Sequence, residues 1–215
     1  MAAKTIEIRI LILSLVALLS TEVATRVVLS EATYSPLLVL GVARVVEILL
    51  LLLIVSRWGK GMSSVGLARD QTVAGLKKGL IWSAVFGLCA FLGFAILYAT
   101  HIEDPLRLIK THLPPGTQGI VLLFVVGGLV SPIAEEVFFR GIVYGFLRRW
   151  GVLVAMVGST VIFVLAHPII SGIPATQIVG GLVFAVAYEV EGNLMVPITI
   201  HVLGNMAIFS LSLVS

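Results

Sequence analysis

Two adjacent glutamates and an arginine lie in a stretch of the chain that is otherwise almost entirely apolar. The stretch from Gly119 to Trp150 contains Glu135, Glu136 and Arg140. A charge at the centre of a bilayer costs about 2.5–3.5 kcal/mol on insertion scales, and two adjacent like charges cost more unless one is paired or neutralised. Glu136 and Arg140 are four residues apart and can pair on one helical face, whereas Glu135 is rotated by about 100°. We therefore expect one structural carboxylate and one free carboxylate.

Two histidines and an asparagine follow, also in apolar surroundings. His167 ends the apolar run that begins at Phe163, and His201 and Asn205 lie four residues apart on one face of the last apolar segment. Each feature has an ordinary explanation, because interfacial histidines and polar groups that hydrogen-bond between helices are common in membrane proteins. Together with Glu135, however, they supply a carboxylate, two imidazoles and an amide from three apolar segments, and this set favours chemistry.

These groups are suited to hydrolysis. A base must take a proton from water, and the oxyanion that forms on the attacked carbonyl needs hydrogen-bond donors. We expect Glu135 and His167 to hold and activate the water, and His201 and Asn205 to donate to the oxyanion. No serine or cysteine accompanies a base in a recognisable nucleophile motif, so direct attack by water is favoured over a covalent acyl intermediate.

The order of these motifs resembles the CPBP family of intramembrane proteases, which includes the CAAX prenyl endopeptidases of the Ras-converting type and many bacterial Abi-type members. The shared motifs are Glu-Glu-x-x-x-Arg, Phe-x-x-x-His and His-x-x-x-Asn, and the resemblance covers about residues 118–210. The matching positions are Glu135, Glu136, Arg140, Phe163, His167, His201 and Asn205.

The resemblance implies an intramembrane endopeptidase acting on a membrane-associated protein or peptide, without implying that the substrate is prenylated. Its catalytic residues would be Glu135, His167, His201 and Asn205. Its structural support would come from Glu136, Arg140 and Phe163. No cofactor is expected; the alternative is a zinc ion held by Glu135, His167 and His201 with an open position for water.

The composition indicates the elements that must position these residues. Of the 215 residues, 59% are hydrophobic and 12% are charged, and the mean hydropathy is +1.15. Soluble domains are about 45–50% apolar and 25% charged. We therefore predict an all-α, polytopic transmembrane helical bundle in a single membrane domain, residues 1–215. Its N-terminal helices fall in residues 1–100 and its catalytic core in residues 118–210.

Apolar runs of about 20 residues, the length that crosses a bilayer as helix, divide the chain into about seven spans, with six or eight as alternatives. The fifth and sixth are short, and Pro132 is expected to kink the fourth just before the glutamates. The predicted spans are 8–29, 36–57, 79–100, 118–149, 151–167, 175–190 and 194–214. Between the second and third, a short interfacial helix is expected within residues 59–78.

Charged residues outside the motifs are interpreted through topology and pairing. Nine of the fourteen Lys and Arg residues fall on the side of the N-terminus and two on the other side. This bias predicts that the N-terminus lies in the cytoplasm, and it explains the net charge of +3 without a nucleic-acid partner. With the family resemblance, we expect the protein in a bacterial inner membrane. The spacings of Glu22 with Arg26 and of Arg44 with Glu47 predict pairs within single helices.

The predicted depths of the site residues disagree. Glu135 and His167 lie roughly 21–24 Å from the basic side at 1.5 Å per residue, whereas His201 lies only ~10 Å into the last span. A tilt, a kink or a deep turn near Gly192 must bring His201 level with the others.

Two other function classes fit intramembrane charges. A small proton-relay transporter uses intramembrane glutamates and histidines, but it is expected to show repeat symmetry, which this sequence lacks. A non-catalytic scaffold or immunity protein on the same fold would retain its function when Glu135 is replaced.

Overall fold

The computed structural model describes residues 4–31, 34–100, 109, 111–167 and 174–214. This part of the chain is helical and contains no β-strand. Seven long helical segments coincide with the predicted spans and confirm an all-α polytopic bundle. They are α1 (Ile8–Ser30), α2 (Pro36–Trp58), α3 (Thr72–Thr100), α4 (Gly116–Trp150), α5 (Val152–Leu165), α6 (Ala175–Glu191) and α7 (Met195–Val214).

Five of these helices are long and apolar enough to cross a membrane: α1, α2, α3, α4 and α7. Helices α5 and α6 have 14 and 17 residues, or roughly 21 and 26 Å, which is less than the ~30 Å of a hydrocarbon core. The sequence correctly indicated that these two segments are the short ones.

The connection between α2 and α3 differs from the expectation. Instead of an interfacial helix, it contains two short 3₁₀ turns, Met62–Val65 and Arg69–Gln71. Val65 is fully buried in the protein core, so this connection folds under the bundle. Helix α3 also begins at Thr72 rather than at residue 79, because Lys77 and Lys78 extend their charged ends away from the helix without ending it.

Helix α4 occupies the centre of the bundle. Its residues Val137–Tyr144 are all buried, whereas large apolar side chains of α1 and α3 are exposed, as expected for helices that face lipid. Two stretches of α4 are π-helical, Phe124–Val130 and Val137–Tyr144, and they flank the α-helical turn that carries both glutamates. Such π-helical insertions occur often at functional sites.

Pro132 explains one feature of the first π-helical stretch. The Ser131 N–H donates to the Val126 carbonyl, five residues earlier. In the same register, residue 132 would donate to Gly127, but proline has no N–H. The Gly127 carbonyl is therefore available to another partner, which α7 supplies.

The turn between α6 and α7 lies deep in the bundle. Leu194 in this turn is fully buried, and its side chain and that of Val65 contact the backbone position of Gly141 in α4. The Leu194 N–H also donates to the Gly66 carbonyl at 3.0 Å. Because α7 starts level with Gly141 rather than with the end of α4, His201 reaches the depth of the glutamates. Of the three expected alternatives, a tilt, a kink or a deep turn near Gly192, the structure has the deep turn.

Asn193 holds this turn in place through contacts with the α2–α3 connection, with the start of α7 and with α3. It is 5% exposed, its Nδ2 donates to the Gln71 carbonyl at 2.9 Å, and its Oδ1 accepts the Met195 N–H at 3.0 Å, which caps α7. Its amide lies where a Cβ on Gly75 would stand, so α3 and the turn approach each other closely at that glycine.

The two ion pairs predicted within helices are present. Arg26 Nε lies 3.0 Å from Glu22 Oε1 in an exposed pair, and Arg44 Nη1 lies 2.6 Å from Glu47 Oε2 in a largely buried one. A third link joins the ends of α4 and α6, where Glu189 accepts two hydrogen bonds from Arg148, at 3.0 and 2.9 Å.

Candidate active site

A buried ion pair anchors the site. Arg140 Nη1 lies 2.8 Å from Glu136 Oε1, and both side chains are fully buried, as the four-residue spacing predicted. Arg140 also donates to the Gly181 carbonyl of α6 at 3.2 Å. Its guanidinium lies over the rings of Phe163 and Phe184, at 4.6 and 5.2 Å from their centroids. The cation is thus held by one carboxylate, one carbonyl and two aromatic faces.

The same carboxylate holds His201. Glu136 Oε1 lies 2.8 Å from His201 Nδ1, and the imidazole stacks on Phe184 with a centroid distance of 4.6 Å and an interplanar angle of 23°. Because an ionised carboxylate only accepts, Nδ1 is the donor and Nε2 faces the other way. Neither this contact nor the role of Phe184 was predicted from the sequence. The only available signal was the position of Phe184 one turn after the small residues Gly180 and Gly181.

His167 follows the end of α5 and is held by the last turn of that helix. Its Nδ1 lies 2.7 Å from the Phe163 carbonyl oxygen, and its ring packs against the Phe163 ring with a centroid distance of 4.5 Å. A carbonyl oxygen accepts only, so Nδ1 carries the hydrogen. In the neutral imidazole, Nε2 then presents a lone pair to the site. This places Phe163 in direct contact with two of the predicted site residues, because it also contacts Arg140.

Glu135 lies between the two imidazoles. Its Oε2 is 3.7 Å from His167 Nε2 and 3.8 Å from His201 Nε2, so three separate helices bring these groups together. The Glu135 side chain is 17% exposed, whereas that of Glu136 is fully buried. The adjacent glutamates therefore differ in their surroundings: Glu136 is enclosed by fixed partners and Glu135 faces an accessible space.

Asn205 lies one turn beyond His201 on α7. Its Nδ2 donates to the Gly127 carbonyl at 2.9 Å, the acceptor that Pro132 leaves without its helical partner. The Asn205 amide has two N–H donors, and this hydrogen bond uses one of them. The structure joins Asn205 to α4 at this point, and no contact between Asn205 and Glu135 is found in the described part of the chain.

A zinc ion was the alternative expected for Glu135, His167 and His201. Two imidazole nitrogens and one carboxylate oxygen form a donor set that zinc accepts. Within the described ranges, however, no three His, Cys, Asp or Glu side chains are arranged to hold a metal ion.

Comparisons with known proteins identify the same region of the chain. Residues 117–207 match the family model described as type II CAAX prenyl endopeptidase Rce1-like. The membrane-embedded CAAX protease MroQ of Staphylococcus aureus (strain USA300) is 29% identical in an alignment 135 positions long that covers 54% of this chain and 54% of that protein. The match thus spans about half the length of this curated relative. No solved structure matches the chain.

The matched segment contains every residue of the three motifs, from Glu135 on α4 to Asn205 on α7. It also contains the two π-helical stretches and the deep turn that position them. The chain is an integral membrane protein, and its described residues include five helices long and apolar enough to span a bilayer. The motifs, the fold and the two matches therefore agree that residues 117–207 of this chain are similar to the type II CAAX prenyl endopeptidase Rce1-like family.

Proposed function

We propose that this protein is an intramembrane endopeptidase that hydrolyses a peptide bond with a water activated by Glu135. The observation that carries this proposal is the position of Glu135 Oε2, 3.7 and 3.8 Å from the Nε2 atoms of two histidines whose Nδ1 atoms are already engaged. These distances are too long for direct hydrogen bonds and short enough for one water to bridge the groups.

Glu135 and His167 are the proposed water-activating pair. His167 Nδ1–H donates to the Phe163 carbonyl, so its Nε2 accepts a hydrogen bond from the water. The Glu135 carboxylate removes the other proton of the same water as the oxygen attacks the peptide carbonyl, and it then gives that proton to the amine nitrogen as the C–N bond breaks. The partial exposure of Glu135 supports this role, because the base must meet both water and substrate.

His201 and Asn205 are the proposed donors to the oxyanion. The His201 Nδ1–H is directed at Glu136, so a proton on Nε2 would be free to donate to the oxyanion. Asn205 has a second amide hydrogen beyond the one that binds Gly127, and it contributes that donor.

Glu136, Arg140 and Phe163 are proposed to support the site rather than to react. Glu136 orients His201 and is itself fixed by Arg140, and the cation lies against the Phe163 ring. We add Phe184 to this group, because it stacks on His201 and also contacts Arg140. A preorganised site of this kind needs such partners to hold the reacting groups within tenths of an ångström.

A membrane-associated protein or peptide is the proposed substrate. The matched relative is named as membrane-embedded, and Glu135, His201 and Asn205 lie on α4 and α7, two helices long and apolar enough to span a bilayer. The match covers only about half of the relative and does not extend to a prenylated substrate. We propose no cofactor; a zinc-dependent reaction is the alternative that the chelation experiment below tests.

The proposed location is the inner (plasma) membrane of a bacterium, with the N-terminus in the cytoplasm. The nine-to-two distribution of basic residues supports this orientation. Reporter fusions after residues 60 and 115 test it: a reporter active only outside the cytoplasm is expected to be silent at the first position and active at the second.

A comparison of three strains tests the proposed function. One strain is wild type, one lacks the gene, and one carries Glu135→Ala at the wild-type protein level. Mass spectrometry of membrane and secreted peptides is expected to show a precursor that accumulates uncleaved in both altered strains. If Glu135→Ala restores the wild-type peptide pattern, catalysis is the wrong account and the scaffold function is supported.

Chelation of the purified protein separates the two mechanisms. Cleavage of the accumulated precursor is expected to continue after exhaustive dialysis against a strong zinc chelator. Loss of cleavage that is restored by added zinc would instead establish the metal-dependent alternative.

A further inference from the structure

A basic cavity lies at the end of the bundle where α1 begins and α2 and α4 end. It has a volume of about 390 Å³ and is lined by Lys4, Thr5, Lys60, Ser63 and Ser64. A second cavity of about 380 Å³ shares Thr5 and Lys60 with the first and is lined further by Ile6, Glu7, Ile8, Arg9 and Arg149. Both lie outside the candidate active site. Their volumes fall in the range of small-ligand sites.

Three distant chain segments build this region. The Ile6 N–H donates to the Gly145 carbonyl at 3.0 Å, and Arg149 donates to the Ile6 carbonyl. The Ile6 side chain is 5% exposed and packs against Gly145. The N-terminal segment is thus fixed across the end of α4, and Lys60, just after α2, completes the wall. The cations converge through tertiary packing and not through a run of basic sequence.

The charges of the residues that line the two cavities favour an anionic ligand. Lys4, Arg9, Lys60 and Arg149 face the two cavities, and Glu7 is the one carboxylate among the lining residues. Hydroxyl groups of the lining, such as that of Thr5, add neutral donors. A phosphate group matches this combination, because lysine and arginine bind its oxygens with charge-assisted hydrogen bonds.

The depth of the cavities favours a lipid as the source of that phosphate. Trp58 and Trp150, at the same ends of α2 and α4, are 47% and 56% exposed, as in the aromatic belt at a membrane surface. From the cavity, the exposed apolar side chains of Ile8, Ile12 and Leu19 run along α1. If the headgroup phosphate of a lipid occupies the cavity, the acyl chains of that lipid would therefore lie beside this apolar face of α1.

We propose that this basic cavity binds the phosphate-bearing headgroup of an anionic phospholipid, whose acyl chains lie along α1. Basic pockets between transmembrane helices bind acidic headgroups by the same chemistry. The site is separate from Glu135, so this inference does not depend on the proposed peptidase activity.

Titration of the full-length protein with phosphatidylglycerol tests the site. Protein in detergent micelles is titrated with the lipid, and native mass spectrometry measures the lipid-bound fraction; phosphatidylcholine serves as the neutral lipid. The double variant K4Q/K60Q is expected to bind phosphatidylglycerol about 25-fold more weakly, about five-fold for each cation lost. The matched variant R69Q/K77Q removes two exposed cations that do not line the cavities, and it is expected to bind like the wild type.

Competition distinguishes the two sources of phosphate. Millimolar inorganic phosphate is expected to leave phosphatidylglycerol bound, because it lacks the apolar contacts along α1. Equal loss of lipid binding in both double variants, unchanged binding in K4Q/K60Q, or complete displacement by inorganic phosphate would each overturn the proposal. Size-exclusion profiles and melting temperatures of all variants, with the single variant K60Q as a milder change, confirm that they are folded.

Discussion

The Nδ1 atom of His201 lies 2.8 Å from Glu136 Oε1, the same oxygen that accepts a hydrogen bond from Arg140 at 2.8 Å. One carboxylate therefore fixes both the arginine of the first motif and the histidine of the third, which lie on different helices. Through this atom, the charge pair of α4 sets the orientation of the imidazole on α7. The second glutamate of the motif is thus a positioning residue for the site as well as an ion-pair partner.

Replacing Glu136 with glutamine is expected to destabilise the protein by roughly 3 kcal/mol, because it leaves the buried Arg140 without a compensating charge. The measurement is the free energy of unfolding in mild detergent. Glu22→Gln is the matched control, because it makes the same change in an exposed pair and is expected to cost less than about 1 kcal/mol. Equal stabilities of the two variants would contradict the structural role of Glu136.

Replacing Phe184 with leucine is expected to lower the rate of cleavage more than it lowers stability. The substitution keeps an apolar side chain but removes the ring that stacks on His201 and contacts Arg140. Stacking and cation–π contacts of this kind are worth about 0.5–1.5 kcal/mol. Phe86→Leu, in the same apolar cluster but away from His201, is the control and is expected to cleave normally. The test fails if the two variants have equal kcat values.

Two glycines of α3, Gly75 and Gly87, allow the effect of tight packing on stability to be separated from the effect of helix propensity. Gly75→Ala is expected to destabilise the protein and slow cleavage, because the new Cβ would overlap the Asn193 amide that fixes the deep turn. Gly87→Ala has nothing within 4 Å of the new Cβ, so it is expected to be neutral or to stabilise the helix by up to about 1 kcal/mol. Melting temperatures and cleavage rates measure both effects. A neutral Gly75→Ala would show that the turn tolerates displacement.

The link between α3 and the end of α6 is expected to depend on pH. The hydrogen bond from Lys78, at 2.6 Å, lowers the pKa of Glu191 below its usual value of 4.5. A carboxyl group whose pKa is lower in the folded state stabilises it above the unfolded pKa, and this contribution is lost as the pH falls through the folded pKa.

The half-exposed Lys78 limits this contribution to about 0.2–1 kcal/mol. Unfolding measurements on wild type and Lys78→Gln are expected to differ by this amount near pH 7. The difference is expected to vanish in acid, at pH values below the folded pKa of Glu191. A difference that persists unchanged in acid would show that the Lys78 contact is not an ion pair.

The sequence predicted contacts within a helix better than contacts between helices. The pair of Glu136 with Arg140 follows from a four-residue spacing, and the boundaries of six helical segments follow from the lengths of apolar runs. The start of α3 was wrong because lysines were taken as the end of an apolar span. Such side chains extend to the interface and leave the helix intact.

The contacts of His201 with Glu136 and Phe184 depend on how α4, α6 and α7 pack, and no local spacing encodes that packing. The depth mismatch of His201 was nevertheless informative, because a deep turn was one of the three features that could resolve it, and Leu194 and Asn193 form such a turn. The acceptor of Asn205 could also have been inferred from Pro132, which leaves one carbonyl of α4 without its helical donor.

The most direct test of the central claim is the rate at which purified protein in liposomes cleaves the precursor found by the strain comparison. Wild type and the control Glu22→Gln are expected to cleave at similar rates. Glu135→Gln keeps the size of the side chain but removes the base, so cleavage is expected to fall by about 10²–10⁴-fold at unchanged melting temperature. Cleavage by folded Glu135→Gln at the wild-type rate would contradict the account.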